Sequence, residues 1–198
     1  MLFLSCSCYC FETIIVKPLG SRFNSLSVLI GINEFNFSNA IIQVKNLGRA
    51  MGEFDPSHKE FYVKNTANYM AKLEALRQKM HLELAPYKGR LIITFHEAFP
   101  YFAQEFSLNI VAVVEREPGS EPSAKELADT IELVRKNGIP TLFSEPQYPD
   151  SAAETIAKET GTKVYVLDPA VTGPDDYDAY LNIMRNNLTT LKLAFQKQ

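Results

Sequence analysis

The chain has 198 residues, 46% of them hydrophobic and 22% charged, enough to bury one sizeable core and to carry an appended lobe. Its 20 basic residues against 23 acidic ones leave a net charge of -3, and no Lys/Arg cluster is interleaved with aromatics, so electrostatic capture of nucleic acid is not expected. No apolar run approaches the roughly 20 residues that a helix needs to cross a bilayer.

In chain order, residues 1–37 show no sustained period: short apolar clusters alternate with Pro18, Gly20, Gly31 and several Ser and Asn, and no element is predicted there with a clear boundary. All the cysteines, Cys6, Cys8 and Cys10, fall in this stretch, so the rest of the chain can form no disulfide. The C-x-C-x-C spacing could chelate a soft metal, but no fourth ligand is near in sequence, and ordinary terminal thiols are the simpler reading. The opening Met1-Leu-Phe-Leu-Ser-Cys6 lacks a basic n-region and a full apolar h-region, so it is not read as a signal peptide.

Residues 38–89 read as helical. Ile41, Val44, Leu47 and Met51 share one face, and Asp55-Pro56 supplies an N-cap followed by proline at the first position of a second helix. That helix carries the stripe Tyr62, Tyr69, Leu73, Leu76, Met80 and Leu84, and Pro86 with Gly89 ends it. Beyond Gly89 the period changes to an alternation of strands, near 90–95, 109–114, 139–144 and 163–167, with helices near 98–107, 123–137, 151–160 and 176–195. Ser123-x-x-Glu126 and Ser151-x-x-Glu154 have capping-box spacing, and Gly138 and Gly161 stand where a helix C′ residue belongs. The last helix presents Tyr177, Leu181, Met184, Leu188, Leu191 and Phe195 on one face. The alternation predicts an α/β fold over 90–198, a four-stranded parallel sheet flanked by helices and preceded by a long linking helix, because parallel strands require crossovers.

The functional signal lies at the strand ends. His96 follows Leu91-Ile-Ile-Thr-Phe95, Glu145 follows Thr141-Leu-Phe-Ser144, and Asp168 follows Val164-Tyr-Val-Leu167. A parallel sheet delivers whatever follows the carboxyl ends of its strands to one crevice, where ligands bind in open α/β folds. Each residue also has an ordinary structural role: His96 as a helix-start residue, Glu145 as an acceptor in the Glu-Pro-Gln turn, Asp168 as an Asx-turn residue before Pro169. Their equivalent placement favours a cation, since imidazole nitrogen and carboxylate oxygen together suit a borderline-soft metal. Glu97, Glu115, Glu117 and Glu121 share the predicted face, and Asp175, Asp176 and Asp178 open the last helix; helix dipoles and solvation account for both sets. His58 and His81 are too far apart to form a local pair and read as surface or packing residues.

Phe95-His96-Glu97-Ala98-Phe99-Pro100-Tyr101-Phe102 resembles an F-H-D-A-[FY]-G-Y-F segment, Glu121-Pro122-Ser123-Ala124 an E-P-S-A turn, Phe143-Ser144-Glu145-Pro146-Gln147 an F-x-E-P-Q segment, and Val166-Leu167-Asp168-Pro169 a V-L-D-P segment. In this order and spacing they are similar to the TroA-like metal-binding solute-binding proteins, the zinc and manganese receptors of ABC importers. The similarity extends from about residue 39, through Asn39 to Asn46 and Asp55-Pro56, to the end. It implies a periplasmic or cell-surface receptor that holds one Zn2+, or alternatively Mn2+, and hands it to an importer permease. It also implies that His96 and Asp168 are metal ligands and that Glu145 lies behind the site, orienting a ligand, or else binds the metal itself. Affinity is then expected to fall once the solution is acidic enough to protonate an imidazole.

The departures from the family pattern concern the amino-terminal lobe. Two further family His ligands, one in an N-P-H-x-W-[LV]-x-P segment, have no counterpart; Gly31-Ile-Asn-Glu-Phe-Asn-Phe-Ser38 stands there instead. The expected picture is a fragment with a largely missing amino-terminal lobe, an incomplete site and no catalysis, whose long helix could expose its Tyr/Leu stripe and self-associate. If each lost ligand weakens binding about tenfold, two of them lower affinity about a hundredfold. The alternatives are a non-functional or interaction-only fragment and a metal-dependent hydrolase with Glu145 as base. No H-E-x-x-H motif supports the hydrolase, and no G-x-G-x-x-G fingerprint supports a nucleotide-binding domain.

Overall fold

The computed structural model describes residues 13–16, 26–29, 35–114, 122–147, 151–171 and 173–196. The chain divides into two compact units, Met1–Arg77 and Gln78–Gln198. Cys6, Cys8, Cys10, Glu115, Glu117, Gly119, Ser120 and Glu121 lie outside the described residues.

In the first unit, strands β1 (Thr13–Val16) and β2 (Leu26–Leu29) pair antiparallel. Helix α1 (Phe37–Phe54) starts at Asn36, whose side-chain oxygen accepts from the Asn39 amide at 2.7 Å and so satisfies one of the unpaired donors of the first turn. A 3-10 turn, Pro56–His58, leads into helix α2 (Lys59–Leu84), 26 residues and about 39 Å long at 1.5 Å per residue. Asp55 does not cap this turn through its side chain. Its carboxylate instead accepts from the Ser57 hydroxyl at 2.5 Å, from His58 Nδ1 at 2.8 Å and from the Tyr62 hydroxyl at 3.1 Å, and the Ser57 and His58 bonds hold its carboxyl below the usual carboxylate range.

Helices α1 and α2 meet closely at Gly48. A Cβ built there would lie 1.9 Å from Thr66 Oγ1 and 2.8 Å from both Thr66 Cβ and Cγ2. Rotating Thr66 moves its hydroxyl and methyl but not its Cβ, so the overlap persists. Alanine gains about 1 kcal/mol of helix propensity over glycine, whereas overpacking costs about 1–3 kcal/mol. Gly48→Ala is therefore expected to lower the thermal midpoint by several degrees; an unchanged or raised midpoint would show that the two helices do not meet there.

The second unit begins within α2. Leu73, Leu76, Met80 and Leu84 of α2 are buried and Tyr62 and Tyr69 half-buried, so the stripe that could have been exposed is largely covered; the exposed large hydrophobic side chains of this helix are Phe61, Val63 and Leu82. After the turn Ala85–Tyr87 and Gly89, in the left-handed region at φ 76, the chain runs β3 (Leu91–Thr94), α3 (Pro100–Phe106), β4 (Asn109–Val113), α4 (Ala124–Asn137), β5 (Thr141–Ser144), α5 (Ser151–Thr160), β6 (Lys163–Val166) and α6 (Ala179–Gln196). The Ser123 capping box forms, and Gly138 (φ 59) and Gly161 (φ 75) take the left-handed conformation that ends α4 and α5. Helix α5 includes Ser151 as its first residue. Tyr177 lies ahead of α6 and is 97% exposed, contrary to its expected place on the apolar face of that helix. Among the described residues no helix is long and apolar enough to cross a membrane.

The four strands form one parallel sheet in the order β4-β3-β5-β6. Ile93, Phe95, Leu142 and Val114 pack with Val134, Ile139, Ala152, Ala153 and Ile156 into one hydrophobic cluster. Phe143 meets Phe195 of α6 edge-on at 6.2 Å between ring centres. Beyond β4 the chain crosses to the other side of β3 to form β5. The order therefore reverses between β3 and β5, and this switch point is where an open α/β sheet leaves a crevice at the strands' carboxyl ends.

Candidate metal centre

The switch point carries His96 and Glu145. Strand β3 ends at Thr94, fully buried, whose hydroxyl donates to the His96 carbonyl at 3.2 Å. His96 follows two residues later at 5% exposure, and Glu145 directly follows β5 at 3%. Glu145 Oε1 accepts twice from the same residue, from the His96 amide at 3.2 Å and from the ring Nδ1 at 3.1 Å. A carboxylate only accepts, so Nδ1 carries a ring proton, and an imidazole with that one ring proton presents its lone pair at Nε2. Two bonds to one carboxylate oxygen and a third from Thr94 fix both the peptide and the ring of His96. The following segment is equally constrained: Phe99, Phe102 and Phe106 are buried, with Phe102 and Phe106 packed edge-on at 4.8 Å.

Asp168 stands at the same rim on the next strand. Leu167 extends the β5–β6 pairing by donating its amide to the Ser144 carbonyl at 2.9 Å, and its side chain is fully buried. Asp168 is half-buried; its Oδ1 accepts from the Ala170 amide at 2.8 Å, closing an Asx turn. Ala170 is held in the left-handed region at φ 58, a conformation that costs a non-glycine residue about 1–2 kcal/mol. Two further bonds come from Asn187 of α6, whose Oδ1 accepts from the Asp168 amide at 3.0 Å and whose Nδ2 donates to the Asp168 carbonyl at 2.7 Å.

The structure thus brings His96 and Glu145 into direct contact and sets Asp168 one strand beyond Glu145. Among the described residues, no group of three or more His, Cys, Asp and Glu stands close enough to hold an ion. The remaining candidates have other surroundings. Glu97 is exposed, Asp176 Oδ1 accepts from the Asp178 amide at 3.3 Å, and His81 packs on the Phe106 ring at 4.9 Å beside Glu105. Sequence reasoning missed Thr94 and Asn187. Asn187 had one signal: it falls between Met184, Leu188 and Leu191, a polar residue on the buried face of a helix.

A parallel α/β lobe with an imidazole, backed by a carboxylate, at its switch point has the architecture of a ligand-binding lobe. The model of the family described as zinc-uptake complex component A, periplasmic (ZnuA) matches residues 35–194. The chain belongs to this family, whose members are metal-binding transport receptors. It is 31% identical over 160 residues to the high-affinity zinc uptake system protein ZnuA of Brucella suis, a match covering 80% of this chain and 48% of that protein. It is 35% identical over 157 residues to the zinc-binding lipoprotein AdcA of Streptococcus pneumoniae, covering 77% of this chain and 31% of that one. The structure of the solute-binding protein FpvC of Pseudomonas aeruginosa in complex with Mn2+ superposes with a TM-score of 0.75 at 32% identity, over 85% of this chain and 64% of that chain. The chain therefore spans about half the length of the Brucella relative and about a third of the streptococcal one.

Proposed function

We propose that this chain carries the metal-binding lobe of an extracytoplasmic receptor that captures a divalent cation, zinc ahead of manganese, for delivery to the permease of an ABC importer. Residues 90–198 form the binding lobe and 38–89 the helical segment preceding it. The ligands from this chain are His96, through Nε2, and Asp168, through the carboxylate oxygen not engaged by Ala170. Glu145 holds the imidazole from behind. The observation that carries the reading is the Glu145 bond to Nδ1 of a buried His96, because a metal-ligating histidine almost always donates its second ring nitrogen to a carboxylate, carbonyl or water.

Topology supports the pairing of His96 with Asp168. With β5 between β3 and β6, their backbones are about 10 Å apart at two interstrand spacings. An imidazole arm, a carboxylate arm and two metal bonds of about 2 Å span such a gap. One nitrogen and one oxygen favour zinc over manganese, since oxygen-only sets suit the harder ion. Further coordination positions are filled by water or by donors other than these two residues. The reading is of binding and release, with no reaction catalysed.

The test is calorimetric titration of the purified protein with zinc and, separately, manganese at neutral pH. One saturable zinc event per chain, tighter than that for manganese, is expected. No saturable binding at millimolar zinc would overturn the proposal.

A further inference from the structure

We infer that Asn187 is a positioning residue of the metal site: its amide grips the peptide of Asp168 on both sides and thereby sets where the Asp168 carboxylate stands. The inference rests on the reading of Asp168 as a ligand.

Asn187 is 2% exposed on the face of α6 that also buries Met184, Leu188 and Leu191. An amide placed there costs folding free energy unless its donor and acceptor are both satisfied. Both are satisfied by a single residue: Oδ1 takes the Asp168 amide at 3.0 Å and Nδ2 gives to the Asp168 carbonyl at 2.7 Å. The planar amide thus copies the edge of a neighbouring strand just beyond the end of β6. Fixing the N–H and the C=O of one residue fixes the peptide planes on either side of it, and with them the direction of its Cα–Cβ bond. The Asp168 side chain is restrained once more, by the Ala170 amide on Oδ1 at 2.8 Å. The carboxylate is left with one oxygen to offer, at a place that α6 determines.

Without Asn187 the backbone hydrogen bonds described next to Asp168 are the Leu167 amide bond to Ser144 upstream and the Asp168–Ala170 turn downstream. A ligand whose backbone is loose must be ordered when the ion arrives, and that cost appears as lost affinity. Asn187 does for Asp168 through the backbone what Glu145 does for His96 through the ring.

The test is zinc affinity in the full chain, with wild type, Asn187→Ala and Asp168→Ala compared by calorimetry. Asn187→Ala is expected to raise the zinc Kd by about tenfold or more. Asp168→Ala, which leaves a single ligand from this chain, should show no saturable zinc binding. If Asn187→Ala does not fold, Asn187→Leu keeps the volume and apolar packing while removing both bonds, and the same outcomes are read. Independently of any variant, the Asn187 side-chain amide and the Asp168 backbone amide of the wild type should shift together in NMR spectra as zinc is added. A Kd unchanged by loss of Asn187, or an Asn187 resonance unmoved by zinc, would each overturn the inference. Failure of the wild type to bind zinc would overturn the proposed function and this inference with it, and is seen in the first arm alone.

Discussion

Replacing His96 with alanine is expected to abolish saturable zinc binding and, separately, to destabilise the fold. The metal effect follows from ligand count: the proposed site draws one nitrogen and one oxygen from this chain, and a single remaining carboxylate does not hold zinc against water. The stability effect follows from what is left behind. Glu145 Oε1 accepts from both the amide and the ring of His96, with the two side chains 3% and 6% exposed. Removing the ring leaves a buried carboxylate with one fewer donor, a loss of about 1–3 kcal/mol. Zinc titration and thermal unfolding read the two effects apart. Binding within a few-fold of wild type in His96→Ala would show that the imidazole is not a ligand, whatever happened to the melting temperature.

The second large effect is expected at Glu145, where alanine and glutamine should behave differently. Glu145→Ala removes the acceptor for two buried donors of His96 at once, so stability falls by about 1–3 kcal/mol. It also frees the ring to rotate and to change tautomer, and loss of such a supporting group weakens metal binding about 10–100-fold. Glu145→Gln keeps a carbonyl oxygen where Oε1 stands, at 3.1 Å from Nδ1 and 3.2 Å from the His96 amide. It should retain most of the stability and lose metal affinity by less than alanine does, through the missing negative charge. If Glu145 were instead a direct ligand, glutamine and alanine would impair zinc binding alike, since a neutral amide oxygen is a poor zinc ligand.

Much of the α/β lobe was legible because local chemistry and periodicity agree there. The Ser123 capping box and the glycines at 138 and 161 mark helix ends that the backbone confirms with left-handed φ angles of 59 and 75. Where only periodicity spoke, errors entered. Tyr177 has the right spacing for the buried face of α6, but helical spacing does not say where a helix starts, and α6 starts at Ala179. The sequence around Asp55 has the form of a cap followed by proline; the carboxylate instead binds the Ser57, His58 and Tyr62 side chains, a competition among neighbours that spacing cannot rank.

At the site, the three strand-end residues could be read as a set, but their arrangement could not. Strand order is a long-range property, and only the β4-β3-β5-β6 order puts His96 and Glu145 at the reversal and Asp168 one strand away. The Thr94 hydroxyl and the Asn187 amide bond backbone atoms of residues 2 and 19 positions away in sequence. Such bonds carry no sequence pattern beyond a polar residue in an apolar setting.

Diffraction data from crystals soaked in zinc, recorded on either side of the zinc absorption edge, give the most direct reading of the centre. One anomalous peak about 2.0–2.2 Å from both His96 Nε2 and an Asp168 carboxylate oxygen, with Glu145 still bonded to Nδ1, is the expected result. A peak bound to neither residue, or bound directly by Glu145 with the imidazole turned away, would contradict the proposed ligand set.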